Sequence, residues 1–175
     1  MRPADKLLPR NDIKLVLDEP DSARDMFGRL YEVTNIDVQP HSGGEFACEW
    51  MISPRGATTI IQGHARTGAA MLGGVPPFYV VTLAQEGSID LSSGTQRANV
   101  LPNMSGAIVN ANNEVMTYTT PGTRTLNVRI DSVSLHSHLT ALVGMPVNKP
   151  LHFDLNLDLR QGYGADMLRL AQFLA

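Results

Sequence analysis

The chain has 175 residues, 43% of them hydrophobic, and its 17 acidic against 14 basic side chains leave a net charge of −3. That length makes one domain with a sizeable core the default; the acidic balance, without any Lys/Arg cluster, argues against this segment gripping a phosphate backbone; and no run of about eighteen apolar residues is present to span a bilayer. The polar start MRPADKLLPRND does not read as a secretory signal and the single Cys48 can form no internal disulfide, which together fit a soluble, cytoplasmic protein with a buried thiol.

Residues 1–20 read as an N-terminal arm ahead of a single domain over 21–175. A first helix begins at Asp21 or Ser22, because Ala23, Met26, Phe27, Leu30 and Tyr31 recur at helical spacing. Ser22 followed by Asp25 resembles a capping box. Three strands are expected next, Val33 to Val38, Glu45 to Ile52 and Ala57 to Gly63, broken by Ser42-Gly43-Gly44 and Pro54-Arg55-Gly56. In the second, alternation places Phe46, Cys48, Trp50 and Ile52 on one face. Thr67 to Pro77 holds too many small and breaking residues for a regular element and reads as a loop.

The stretch from Phe78 to Ile130 organises the rest. Short β-branched and apolar segments are separated there by Glu86-Gly87, Ser93-Gly94, Pro102-Asn103, Asn112-Asn113 and Pro121-Gly122. Gly and Asn accept the positive φ of tight turns and Pro pre-sets a turn's first position, so the spacing predicts antiparallel hairpins closing into a barrel or sandwich. A second helix follows, capped by Ser134, striped by Leu135, Leu139, Leu142 and Val143, and stopped by Gly144 and Pro146. After an irregular segment a third helix starts near Ala165, and no Gly, Asn or Pro closes it. Its pattern predicts a helix that continues in a longer natural protein.

Barrels of this kind often hold a metal, which needs three or four converging ligands. His136 and His138 have a ligand-like spacing, but on a helix residues two apart point about 200° from each other, and the strands from Phe78 to Thr120 contain no His. Neither a catalytic metal nor a cofactor is expected. No G-x-S-x-G elbow, phosphate loop or dinucleotide fingerprint is present either, so a non-catalytic role is the better-supported class.

What remains is a pocket inside the barrel. Trp50, Tyr79 and Tyr118 are candidate aromatic lining, with Gln62 and His64 from one strand face. Arg129 stands with Arg66 and Arg124 as a residue able to grip a carboxylate by two parallel hydrogen bonds. Aromatic lining near an Arg points to an organic or aromatic acid as ligand. The competing reading of each aromatic is a core residue with its polar tip satisfied.

The order of these pieces resembles the N-terminal effector-binding and dimerisation domain of AraC/XylS-family transcriptional regulators. The resemblance rests on DSARDMFGRLY as opening helix, FACEWMI as an early strand, PFYVVTLAQEGSIDLSSGTQRANVLPNMSGAIVN as core, and then Leu135, Leu139, Leu142, Gly144, Pro150, Leu151, Phe153, Leu157 and Asp158. Where such domains usually carry Pro-Gly, this chain has Pro102-Asn103, and Asn tolerates the left-handed conformation that the turn requires. The resemblance implies a cupin-like antiparallel β-barrel of double-stranded β-helix or jelly-roll type, with flanking C-terminal helices. It further implies a small-molecule effector, a homodimer, and contact with DNA only through a helix-turn-helix domain that does not lie in these residues. Met167, Leu168, Leu170 and Leu174 are the candidate dimer contact, unless that stripe faces its own barrel. The alternative in a different class is a metal-dependent cupin enzyme, such as a dioxygenase or isomerase.

Overall fold

Each turn signal of the central stretch holds a residue with positive φ: Gly87, Gly94, Asn103, Asn112 and Gly122, with Asn103 at 57° and Asn112 at 62°. A computed structural model describes residues 12–41, 45–147 and 149–174; most of the expected N-terminal arm and the Ser42-Gly43-Gly44 break lie outside the described residues. In chain order the elements are β1 (Ile13–Leu17), α1 (Pro20–Tyr31), β2 (Asp37–Pro40), β3 (Cys48–Arg55), β4 (Thr58–Ala65), β5 (Ala69–Leu72) and β6 (Tyr79–Glu86). Then follow β7 (Ile89–Ser93), β8 (Gln96–Val100), β9 (Ser105–Val109), β10 (Met116–Thr119), β11 (Thr123–Ile130), α2 (Ser132–Val143), β12 (Asn156–Asp158) and α3 (Gly162–Leu174).

The strands form two antiparallel sheets, ordered β1-β3-β4-β11-β6-β9-β12 and β2-β5-β10-β7-β8. Only some of the turns close local hairpins. β7 pairs β8 and β3 pairs β4, whereas β6 pairs β9 and β11, and β10 pairs β5 and β7. The chain therefore crosses from sheet to sheet at successive turns, which is the jelly-roll arrangement of a cupin-like fold.

Several local expectations shift. Pro20 occupies the first turn of α1, with Glu19 at the N-cap and no side-chain cap, so the Ser22–Asp25 capping box does not form; the fixed φ of Pro suits a helix start as well. Asp131, not Ser134, caps α2: its Oδ1 accepts from the Ser134 N–H at 2.7 Å. Gly144 ends α2 in the left-handed conformation at φ 71°, as its sequence predicts. Residues read as a loop contain β5, whose small side chains are held by pairing to β2 on one side and β10 on the other. β1, within the stretch read as an arm, pairs with β3 from Ile13↔Ile52 to Leu17↔Cys48.

Alternation along each strand then divides the molecule into layers. Between the sheets one end is filled by Val80, Ile89, Leu91, Ala98, Val100, Ala107, Val109 and Leu155. At the other end α1 closes the sandwich, and Ala23, Phe27, Ile36, Val38, Phe46 and Cys48 pack there. The outer face of the larger sheet buries Ile60, Val81, Leu83 and Leu126 against Leu159 and against Met167, Leu168 and Ala171 of α3. α2 has no buried residue, and its stripe ends on the exposed Leu142 and Val143.

Candidate functional site

The closed end of the sandwich is hollow. A partly enclosed cavity of about 100 Å³ lies between the two sheets and α1, several times the roughly 10–15 Å³ that one water requires. The larger sheet lines it with Cys48 and Trp50 of β3, Ala65 of β4, Thr82 of β6, and Thr125 and Asn127 of β11. Val38, Met71, Ile89, Leu91, Thr117 and Thr119 come from the smaller sheet, and Phe27 and Tyr31 from α1.

Trp50 is the central wall residue. Its ring meets Phe27 edge-on at 5.0 Å and 89°. The strand beneath it makes room: a Cβ on Gly63 would stand 2.5 Å from Trp50 Cζ3 and 2.7 Å from Thr125 Oγ1. Trp50 Nε1 is buried with no hydrogen-bond partner beyond the weakly accepting Cys48 sulfur beside it, so most of the cost of an unmet donor, about 1–3 kcal/mol, stands until a better acceptor arrives. Beside it, burial pushes the Cys48 thiol up, against a smaller lowering influence of the Trp50 indole N–H. Burial likewise pushes the Tyr31 phenol up to about 12, against the opposing charge of Arg129. Both groups stay protonated and neutral at ordinary pH.

Of the six ligand-contact candidates, Trp50 lines the cavity. Gln62 and His64 sit on β4 between Ile61, Gly63 and Ala65 and so face the opposite side of the sheet. The Tyr79 hydroxyl donates to the Leu151 carbonyl at 3.1 Å, and its ring meets Phe153 edge-on, so it anchors the segment after α2. Tyr118 is exposed and stacks on His41. Arg129 shares a strand face with Thr125 and Asn127 but lies one step beyond the cavity. There its Nη1 donates to the Leu30 carbonyl at 2.7 Å, Nη2 pairs with Glu32, and the guanidinium covers Phe78 at 3.8 Å. Sequence reasoning missed Thr125 and Asn127, whose alternation along β11 was visible, and Phe27 and Tyr31, whose helical face was assigned only to packing.

Arg129 thus fastens the C-terminal end of α1, which carries Phe27 and Tyr31 over the cavity. Replacing it with Met is expected to lower stability by about 2–3 kcal/mol, since a charge-assisted hydrogen bond, a half-buried ion pair and a cation–π contact go together. Arg129→Lys should recover less than half of that, because an ammonium lacks the planar fork. Urea unfolding of the three proteins decides it; equal midpoints would mean that α1 is held without this clasp.

Among the described residues no three His, Cys, Asp or Glu side chains come together as a metal set. His136 Nε2 accepts from the Leu151 N–H at 3.4 Å, a structural role. No helix among them is long and apolar enough to cross a membrane. Of the candidate dimer contacts, Met167 and Leu168 pack on the sheet's outer cluster, Leu170 is exposed, and the Leu174 side chain lies outside the described residues. Tyr163 and Phe173 add to the exposed apolar surface of α3.

Comparison with solved structures places the fold beside two others. The AraC-like transcriptional activator CuxR superposes with a TM-score of 0.65 at 15% identity, covering 91% of this chain and 58% of that one. AerE from Microcystis aeruginosa superposes with a TM-score of 0.50 at 9% identity, covering 69% of this chain and 51% of that one. The chain thus spans little more than half the length of either, and at such identities the likeness concerns the fold alone. None of the curated proteins matches it in sequence. The family model of the AraC-binding-like domain matches residues 23–175, from the first turn of α1 through both closing helices, and the chain belongs to that family.

Proposed function

We propose that this domain is the sensing half of an AraC-type transcriptional regulator: it takes a small organic effector between its sheets, pairs with a second copy, and passes occupancy to a DNA-binding domain. The observation that carries this is the cavity itself, which lies between the two sheets and α1 and is walled, not filled, by residues of both inner clusters, Phe27, Val38 and Cys48 from one and Ile89, Leu91 and Val109 from the other. The family membership supports the same reading, as does the likeness in fold to an activator longer than this chain. A ligand shifts such a protein only through unequal affinity for two arrangements, with roughly 1–3 kcal/mol of coupling being usual. α1 can supply the difference because it both roofs the cavity and is clasped by Arg129.

The domain senses and does not catalyse. Among the described residues that line its cavity, the titratable groups are Tyr31 and Cys48, and both are held in their neutral, unreactive forms. For the second copy, the support is the apolar surface left outside: Leu170 and Phe173 are 55% and 86% exposed, and Leu142 at the end of α2 is 72% exposed. Leu170 and Phe173 stand three apart on α3 and so adjoin on one helix face, and adjoining exposed apolar groups are what an interaction surface covers.

The experiment is a thermal-shift screen of small organic compounds, followed by a reporter assay of the full-length regulator with each hit. A ligand present at about 100 times its dissociation constant adds about 2.7 kcal/mol of stability. Hits that stabilise the domain but never change transcription would sink the sensing role. Sedimentation of Leu170→Ser/Phe173→Ser should show a monomer where the parent protein is a dimer; an unchanged mass would remove α3 from the interface.

A further inference from the structure

Resting on the reading of the cavity as the effector site, we propose that its ligand is an uncharged, single-ring-sized organic molecule bearing a hydrogen-bond acceptor, and not an ionised acid. The first observation is the charge of the wall. None of the described residues lining the cavity is Lys, Arg, His, Asp or Glu; its polarity comes from threonine hydroxyls, the Asn127 amide, the Trp50 indole and the Tyr31 phenol. The nearest cation on the same strand face, Arg129, is engaged by Leu30, Glu32 and Phe78. A carboxylate here would lose its hydration with no countercharge to replace it, which costs far more than burying a neutral carbonyl.

The second observation is the unmet donor. Trp50 Nε1 is the buried side-chain nitrogen or oxygen left without a partner among the described residues, save the weakly accepting Cys48 sulfur beside it, and its ring forms part of the wall. Other polar lining groups are already committed: Thr119 Oγ1 accepts from the Ala69 N–H at 3.0 Å, Thr67 Oγ1 accepts from the Ala47 N–H at 3.1 Å, and the Asn127 amide donates to Thr125 Oγ1 at 3.4 Å. Nε1 itself has almost no accessible surface, so an acceptor on the ligand satisfies the indole as the ring turns its N–H toward the space it lines.

The third observation is size. At about 100 Å³ the cavity is of the order of the ~150 Å³ apolar cavities that hold one benzene ring, and the edge-on pair of Phe27 and Trp50 offers aromatic walls for such a ring.

Trp50 is the sole tryptophan, so its emission reports on this wall alone. The 175-residue protein would be titrated with acetophenone, benzoate and ethylbenzene, by Trp50 emission and by calorimetry. Acetophenone is expected to bind on the order of a hundredfold tighter than benzoate. In Trp50→Phe, followed by calorimetry, acetophenone should lose about fivefold in affinity relative to ethylbenzene, because only the ketone uses the N–H. Benzoate binding as tightly as acetophenone would overturn the neutral-ligand assignment and leave the sensing role standing. Absence of binding by all three would overturn the single-ring class, and an unchanged ketone-to-hydrocarbon ratio in the variant would remove the indole as anchor. Should Trp50→Phe fail to fold, the comparison of the three compounds on the parent protein still decides the charge question.

Discussion

Gly63→Ala is expected to abolish ligand uptake and to cost about 2–3 kcal/mol of stability, within the range of overpacked cores. The added methyl would stand 2.5 and 2.6 Å from Trp50 Cζ3 and Cη2, and 2.7 Å from Thr125 Oγ1. The indole is rigid and cannot flex at its tip. It must swing as a whole, and the open direction is the cavity, so the mutation fills with the protein's own ring the space that a ligand would use. The edge-on contact with Phe27 is lost in the same movement, which loosens α1. Guanidinium melts give the stability loss, and a shift in the emission of Trp50 reports the displaced ring. Unaltered emission together with retained ligand binding would show that the indole is not seated on this glycine.

The other large effect is expected at the opposite layer. A Cβ on Gly164 would stand 1.8 Å from the Asp158 carbonyl oxygen and 2.8 Å from its carbon. Both are backbone atoms, in a turn that is already fastened. Asp158 Oδ1 accepts from the Arg160 N–H at 3.0 Å and from Arg160 Nε at 2.8 Å, and Oδ2 accepts from Gln161 at 3.1 Å. That carboxyl is held below the ordinary carboxylate range, first by the Arg160 guanidinium. With no cheap way to yield, Gly164→Ala should lift the first turn of α3 and cost about 3 kcal/mol. Met167, Leu168 and Ala171 would leave the outer cluster with it. Hydrogen exchange separates this from general damage: amides of α3 should lose protection while those of β4, β6 and β11 keep theirs. Equal loss in helix and sheet would contradict a local seat.

The turns of the central stretch were legible because each demands a residue type: Asn103 and Asn112 take positive φ, and few other side chains do so cheaply. The path between turns was not, since the same turn chemistry serves a hairpin and a crossing to the facing sheet. β5 was hidden because AAML has little strand propensity of its own, and its partners β2 and β10 lie far along the chain. At the site, Phe46, Cys48 and Trp50 were found on one face because their alternation is unbroken, and all three line the cavity. Alternation alone places Gln62 and His64 inward, one residue out of register. The inward positions of β4 are instead Ile61, Gly63 and Ala65, small or apolar, and a glycine gives alternation no side chain to read. The function of Arg129 was invisible for another reason: its partners Leu30, Glu32 and Phe78 come together only in the fold.

Between Ile130, the last residue of β11, and Ser132, the first of α2, stands Asp131 alone, and its carboxylate is already spent on the amide of Ser134. No slack loop joins the strand whose Thr125 and Asn127 touch the cavity to the helix beyond it. A strand that tilts must therefore swing that helix like the far arm of a lever, and a change of a few tenths of an ångström at the wall would arrive magnified at Leu142, twelve residues from the fulcrum at Ile130.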